Sequence, residues 1–372
     1  MSEKRIAFYL PSLVGGGAEK VTLNLAKYLA KNYDYPIDFV LVSASGEFMD
    51  QVPHNIRIID LKASRMITSM PGLIRYLKKE KPHAILSGMD YVNAIALLCK
   101  KIARVDTRTV ACLHINLSEQ IANPVVRRAR FVLPMIKLTH PWANAIVATS
   151  RGCGEDFQRV TGVGEDNMQL IYNPTITDEI LPLSREPVDH TWFDDGGPPV
   201  ILAVGRLVQQ KNFELLLDSF AKLREMRDAR LIILGEGPRR KDLEKLAIDL
   251  GIEKYVQMPG FVDNPYAYMA RSVMLVMSSH FEALPAVLIE ALHVGTQVVS
   301  TDCPSGPYEI LENGKYGELV PVNDADALAD GMIKALDNKT FKPNPDACNR
   351  YIDRHVAPQY LEVLIGPDFA AH

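Results

Sequence analysis

Short apolar runs alternate with stretches of helical periodicity along this chain, and the alternation is run through twice. In the first series RIAFYL (5–10), IDFVLV (37–42), IRIID (56–60), HAILS (83–87), TRTVACLH (107–114), AIVATS (145–150) and MQLIYN (168–173) read as strands. Residues 18–32 place Val21, Leu25, Tyr28 and Leu29 at helical spacing, and further helices are expected at 67–80, 90–104 and 118–138. The second series is VILAVG (200–205), RLIILG (230–235), VQMPG (256–260), VMLVMS (273–278), QVVST (297–301) and GELVP (317–321). Its helices fall at 212–227, 239–250, 264–272, 285–293 and from Asp324. Short continuous apolar strands separated by helices mean parallel sheets covered on both faces. Two such series predict an α/β protein of two doubly wound, Rossmann-like domains facing each other. Ligands then belong beyond the carboxyl ends of the strands.

The texture changes at Tyr172. The stretch that follows, to Pro199, is rich in Pro, Asp and Gly and reads as a linker with an irregular entry. The expected domains are 1–172 and 173–349, a reasonable division of 372 residues. A formal charge of −4 gives no basic excess that would point to nucleic acid. Five scattered cysteines form no C-x-x-C pair, so neither a zinc site nor a disulfide framework is indicated. The N-terminal apolar run is too short for a signal peptide, and no stretch reaches the ~18–20 apolar residues of a membrane span. The expected location is cytoplasmic.

Unusual residues gather in the loops after the strands. PSLVGGGAEK (11–20) joins the first strand to the first helix. Gly16 and Gly17 let the backbone approach a ligand closely, at a helix start whose N–H groups suit an anion. The spacing is not G-x-G-x-x-G, and a ligand-free glycine turn is the equal alternative. AVGRLVQQKN (203–212) carries Arg206 and Lys211, which can hold a diphosphate and steady its charge, or be solvated surface cations. In ILGEGPRRKDL (233–243), Gly235 and Gly237 can line a nucleotide, whereas Arg239 and Arg240 are expected in solvent. His114 ends a strand, where a neutral imidazole can bond a sugar hydroxyl. A packed or exposed histidine is the plain reading.

Two glutamates stand out in SSHFEALPAVLIEAL (278–292). Glu282 and Glu290 sit among apolar residues, where a carboxylate is costly to desolvate. Pro285 suits a first helical turn. That places Glu282 in the loop and Glu290 inside the helix, with the backbone of Ala283, Leu284, Pro285 and Ala286 at the start, where N–H groups remain free for phosphate. A loop carboxylate can accept from sugar hydroxyls, and one inside the helix from a ribose. The bland reading is a carboxylate complementing the helix dipole plus a surface glutamate.

The pair also matches an E-x7-E motif. With GGGAEK, VGRLVQQKN, GEGPRR and GFVDN in the same order and spacing, the chain resembles the retaining glycosyltransferases of family 4 over nearly its whole length. The resemblance implies a GT-B fold, with two Rossmann-like domains across a cleft and a C-terminal helix (350–372) crossing back to the first. It implies that Arg206 and Lys211 bind the donor diphosphate, Glu282 the donor sugar and Glu290 the ribose. Gly16 and Gly17 would approach the phosphate or acceptor, and His114 the sugar. Ala283 departs from the glycine common there. TDCPSGPYEIL (301–311) is similar to bacterial enzymes that extend lipid-linked surface glycans, which favours a UDP-sugar as the donor substrate.

No metal or cofactor is expected, because Arg206, Lys211 and a helix start can meet the diphosphate's charge. The triplet Asp324-Ala325-Asp326 reads as a helix cap rather than a metal site. The partners expected are a nucleotide sugar and a lipid-linked or free glycan acceptor. The basic amphipathic stretch 123–138 is a candidate for transient contact with the inner face of the cytoplasmic membrane, core packing being the alternative. Two other functions remain: a UDP-sugar 2-epimerase of the same fold, and a non-catalytic sugar-nucleotide sensor or partner subunit.

Overall fold

The computed structural model describes residues 4–122, 129–164, 166–338 and 344–366. The chain forms two units. One holds the residues up to Thr175 and those from Arg350 onward, and the other runs from Ile176 to Asn349.

The first unit is built on seven parallel strands in the order β3-β2-β1-β4-β5-β6-β7. They are β1 (Ile6–Leu10), β2 (Ile37–Leu41), β3 (Ile56–Asp60), β4 (Ala84–Gly88), β5 (Arg108–Leu113), β6 (Ala145–Ala148) and β7 (Met168–Leu170). Alternation along β1 divides its side chains between two cores. Ile6, Phe8 and Leu10 face one, and Ala7 and Tyr9 the other. That is why all five residues are apolar and buried. The covering helices are α1 (Gly17–Asn32), α2 (Met66–Glu80), α3 (Asp90–Ala103), α4 (Leu117–Ala122), α5 (Ala129–Thr139) and α6 (Arg151–Thr161). Residues 123–128 of the basic stretch lie outside the described residues.

Helix α6 is absent from the sequence reading, because Gly152 and Gly154 dilute its apolar period. Its signals are at the ends. Ser150 Oγ caps it by accepting from Cys153 N, and Gly162 stops it in the left-handed region, φ 69°.

The second unit carries six parallel strands in the order β10-β9-β8-β11-β12-β13. They are β8 (Val200–Val204), β9 (Arg230–Leu234), β10 (Val256–Gly260), β11 (Met274–Met277), β12 (Gln297–Thr301) and β13 (Glu318–Val320). Its helices are α7 (Ile180–Ser184), α8 (Phe213–Met226), α9 (Arg240–Asp249), α10 (Pro265–Arg271), α11 (Ala286–Val294), α12 (Pro307–Ile310) and α13 (Ala325–Asp337). The stretch read as a linker is in part packed onto this unit. Ile180 in α7 is buried, and Asn264 Nδ2 donates to Leu183 O at 2.9 Å. After residue 349 the chain rejoins the first unit. There α14 (Asp353–Ile365) buries Val356, Tyr360 and Leu364 in the core against α1, β4 and β5. Residues 367–372 lie outside the described residues.

Both sheets are doubly wound, as the two-series pattern implied. In each, the first strand has neighbours on both sides: β2 and β4 around β1, β9 and β11 around β8. The chain departs in opposite directions from β1 and β4, and from β8 and β11, leaving a crevice beyond their carboxyl ends.

Candidate active site

At the switch point of the second unit, two loops are sewn together. The loop after β8 passes Gly205 and Arg206, makes a short turn at Gln209–Lys211, and swings into α8 through Asn212, φ 49°. The loop after β11 spans 278–285. Ser278 Oγ donates to Lys211 O at 2.9 Å, His280 N to Gln210 O at 2.8 Å, and Gln210 Nε2 to Phe281 O at 2.9 Å. With both backbones fixed, the side chains of Lys211 and Glu282 meet, Nζ to Oε1, at 2.6 Å. Ser279 Oγ donates to the same Oε1 at 2.7 Å. Glu282 is 7% exposed, and these charge-assisted bonds offset its desolvation.

Arg206 lies on the same loop. Its side chain is exposed and makes no hydrogen bond or ion pair among the described residues. Of the two cations, Lys211 is therefore committed to a carboxylate and Arg206 keeps its donors. Glu290 is the fifth residue of α11 and is buried. Tyr266 Oη donates to its Oε1 at 3.3 Å, and burial, with the glutamate's charge next, pushes the tyrosine's pKa well up. Pro285 stands just before the first helical residue, Ala286. Having no N–H, it supplies no donor, so the helix start offers the amides of Ala286 and Val287 instead. Ala283 and Leu284 are buried. A Cβ on Gly306, φ 77°, would lie 2.9 Å from Ala283 O and 2.5 Å from Pro285 Cδ. Nearby, burial and the Glu282 charge push the Cys303 thiol pKa up.

Gly235 has a backbone reason to be glycine. Its φ is 133°, and a Cβ there would lie 2.0 Å from Gly205 O. Gly237 is similar, with Leu207 O at 2.4 Å from where a Cβ would be. Both glycines let the β9 loop press against the β8 loop. Arg239 and Arg240, expected in solvent, are partly exposed and also carry ion pairs at the surface. Arg239 Nη2 donates to Glu214 Oε1 at 2.6 Å. Arg240 Nε bonds Glu244 at 2.9 Å, and its guanidinium also reaches Glu236 and Met258 O.

The N-terminal unit places its own loops at the β1–β4 switch point. Gly16 precedes α1, and a Cβ on Gly17 would meet nothing within 4 Å. Negative charge is already present at this helix start: Glu19 lies in the first turn, and Glu47 Oε2 accepts from Gly15 N at 2.9 Å. His114, one residue past β5, is half-buried. Burial pushes its pKa down to about 4, so the imidazole is neutral at ordinary pH. Its ring occupies the space beside Gly88, where a Cβ would be 2.7 Å from Cδ2. Asp90, at the start of α3, is 1% exposed with neither carboxylate oxygen hydrogen-bonded among the described residues. Burial, with Asp156 adding to it, raises its pKa to about 7.

Residues 15–179 match the family described as Glycosyltransferase Family 4, and residues 186–355 match Glycosyl transferases group 1. The chain belongs to these glycosyltransferases. Over 98% of its length it is 26% identical to the whole of a Campylobacter jejuni protein. That relative is named N-acetylgalactosamine-N,N'-diacetylbacillosaminyl-diphospho-undecaprenol 4-alpha-N-acetylgalactosaminyltransferase. Over 54% of its length it is 33% identical to 56% of the Rhizobium meliloti lipopolysaccharide core biosynthesis glycosyltransferase LpsE. Among solved structures it superposes on Anabaena HepE in complex with UDP and glucose, with a TM-score of 0.79 and 18% identity. That match covers 97% of this chain and 99% of the other. The fold is GT-B.

In the glycosyltransferase, Arg206, Lys211 and Glu282 share the β8–β11 switch point, with Leu284, Pro285 and Ala286 at the helix that follows. Glu290 is held on that helix by Tyr266, Gly235 supports the β8 loop from β9, and Gly16, Gly17 and His114 stand on the other unit. Sequence reasoning missed Ser279, Tyr266 and Asp90. A serine three residues before a glutamate carries no signal of its own, whereas Asp90 was visible as a carboxylate at the start of a largely apolar helix. Among the described residues, no three His, Cys, Asp or Glu side chains gather as a metal site. Asp324 Oδ1 caps α13 by accepting from Ala327 N at 2.9 Å, and Asp326 pairs with Lys222. No described helix is long and apolar enough to cross a membrane.

Proposed function

We propose that this glycosyltransferase transfers a hexose or N-acetylhexosamine, with retention, from a UDP-sugar to a polyprenyl-diphosphate-linked glycan. The observation that carries the reading is the junction of Lys211 with Glu282 beside the uncommitted Arg206, at the switch point of the second unit. The Campylobacter relative, named for a diphospho-undecaprenol acceptor, and the Anabaena structure holding UDP and glucose support the substrate classes.

Arg206, Lys211 and the amides of Ala286 and Val287 are assigned to the diphosphate, and Glu290 to the ribose hydroxyls. Gly235 is assigned to the nucleotide side, with Leu284 and Pro285 lining the sugar. Glu282 takes a sugar hydroxyl. On the N-terminal unit, Gly16, Gly17 and His114 are assigned to acceptor and sugar hydroxyls. In a same-face displacement the bond from the anomeric carbon to the β-phosphate oxygen breaks. The acceptor oxygen bonds the same face, and its proton passes to the leaving phosphate. Arg206 and Lys211 steady the charge that develops there. These cations do the work a metal does elsewhere, so EDTA should leave activity intact. A membrane-bound acceptor also implies work at a membrane surface, and Lys137 and Leu138 of α5 are exposed.

The test is transfer from a panel of radiolabelled sugar nucleotides to a membrane lipid extract, with the anomer of the product read by NMR. Labelled glycolipid with retained configuration is expected. An inverted product overturns the mechanism. Turnover of the donor with no acceptor present points to an epimerase, and binding with no turnover to a sensor.

A further inference from the structure

Two donors converge on one oxygen of Glu282. Lys211 Nζ lies 2.6 Å and Ser279 Oγ 2.7 Å from Oε1. The second oxygen, Oε2, receives no hydrogen bond from a described residue, and it is not among the fully enclosed unpartnered atoms. One oxygen is thus saturated inside the protein, and the other is left over without being fully enclosed. Ser279 is itself held firmly. It is 1% exposed, and its carbonyl accepts from Thr301 Oγ1 at 2.8 Å. Ser278, beside it, bonds the Lys211 carbonyl and so fixes the second donor too.

We propose that Ser279 is a positioning residue that, together with Lys211, orients Glu282 so that Oε2 alone is offered to a donor-sugar hydroxyl. This rests on the assignment of Glu282 to the sugar. Lys211 by itself sits at the end of a flexible stem, and one bond would let the carboxylate turn about it. The second bond, at nearly the same distance from a rigid backbone, fixes the plane. A site built this way discriminates strongly, because a sugar lacking the hydroxyl leaves a desolvated charge unpaired.

The experiment compares wild type, Ser279→Ala and Glu282→Gln in the full chain. Calorimetry measures Kd for UDP, UDP-N-acetylgalactosamine, UDP-N-acetylglucosamine, UDP-galactose and UDP-glucose, and melting temperatures serve as the fold control. For Ser279→Ala the expected result is unchanged affinity for UDP. The ratio of Kd for the sugar nucleotide to Kd for UDP should rise about tenfold for at least one of the four, as loss of a hydrogen bond to a charged group implies. Glu282→Gln should raise the same ratio. A Ser279→Ala protein whose ratio stays put while that of Glu282→Gln rises overturns the role of Ser279 alone. Loss of UDP affinity by the same factor also overturns it, since that marks general disruption. If Glu282→Gln changes no ratio, the assignment of Glu282 to the sugar falls, and this inference with it.

Discussion

Asp90 and Glu282 occupy matching places in the two sheets. Each follows the strand that flanks the first strand across the switch point, β4 in one unit and β11 in the other. Each is almost fully buried. Their surroundings are opposite. Glu282 has Lys211 and Ser279 on one oxygen, while Asp90 has no hydrogen bond to either oxygen among the described residues. The difference comes from what lies between strand and helix. In the second unit, residues 278–285 intervene before α11 and can be sewn to the β8 loop. In the first, α3 starts at Asp90 itself, two residues after β4 ends, so its carboxyl is carried straight into the packing. Burial with partners keeps a charge available for chemistry, and burial without them raises the pKa and favours the neutral form.

The largest break in this comparison comes from removing the paired carboxylate. Glu282→Ala should lower glycosyl transfer on the order of a hundredfold or more, measured with labelled donor, because it also leaves Lys211 without its partner. Gly235→Ala tests the loop beneath. A Cβ set 2.0 Å from Gly205 O, at φ 133°, should cost about 2–4 kcal/mol in chemical denaturation. Arg206→Ala should leave stability unchanged, because the side chain is exposed and has no partner among the described residues. Titration should show UDP binding about tenfold more weakly.

The pH-dependent test belongs to the unpaired acid. The pKa of Asp90 rises from its ordinary 3.8 to about 7, so its contribution to stability is complete below pH 4 and is lost as pH climbs to 7. Asp90→Asn copies the neutral form and should be more stable than wild type above pH 7, with the gap closing toward pH 4. A gap that does not depend on pH would show that Asp90 is not protonated in the fold. His114 and His140 have the opposite sign. Burial lowers both from 6.5 to about 4, so melting temperature should fall as pH drops from 6.5 toward 4.

The strands were legible because a parallel sheet covered on both faces demands unbroken apolar runs, and the longer second-unit helices because their stripes are regular, whereas the short α7 and α12 carry too few turns to show one. Helix α6 was not, since two glycines thin its stripe and its identity rests on caps. Arg239 reaches Glu214 on α8, a partner that no linear pattern gives, whereas the Arg240–Glu244 pair is an i, i+4 contact already written along α9. For Gly235, the sequence announced a turn but not the neighbouring carbonyl that forbids a side chain.

By itself the sequence determined the alternation of strands and helices, hence two doubly wound sheets, and the spacing that puts Glu282 in a loop and Glu290 on the helix after it. Those follow from local periodicity, which is written residue by residue. Only the tertiary structure decided that β8 and β11 are neighbours, which brings Lys211 to a carboxylate 71 residues away and leaves Arg206 uncommitted. Parallel strands need long crossovers, so the order in which they pair is set by how whole faces pack, and no short stretch of chain encodes it.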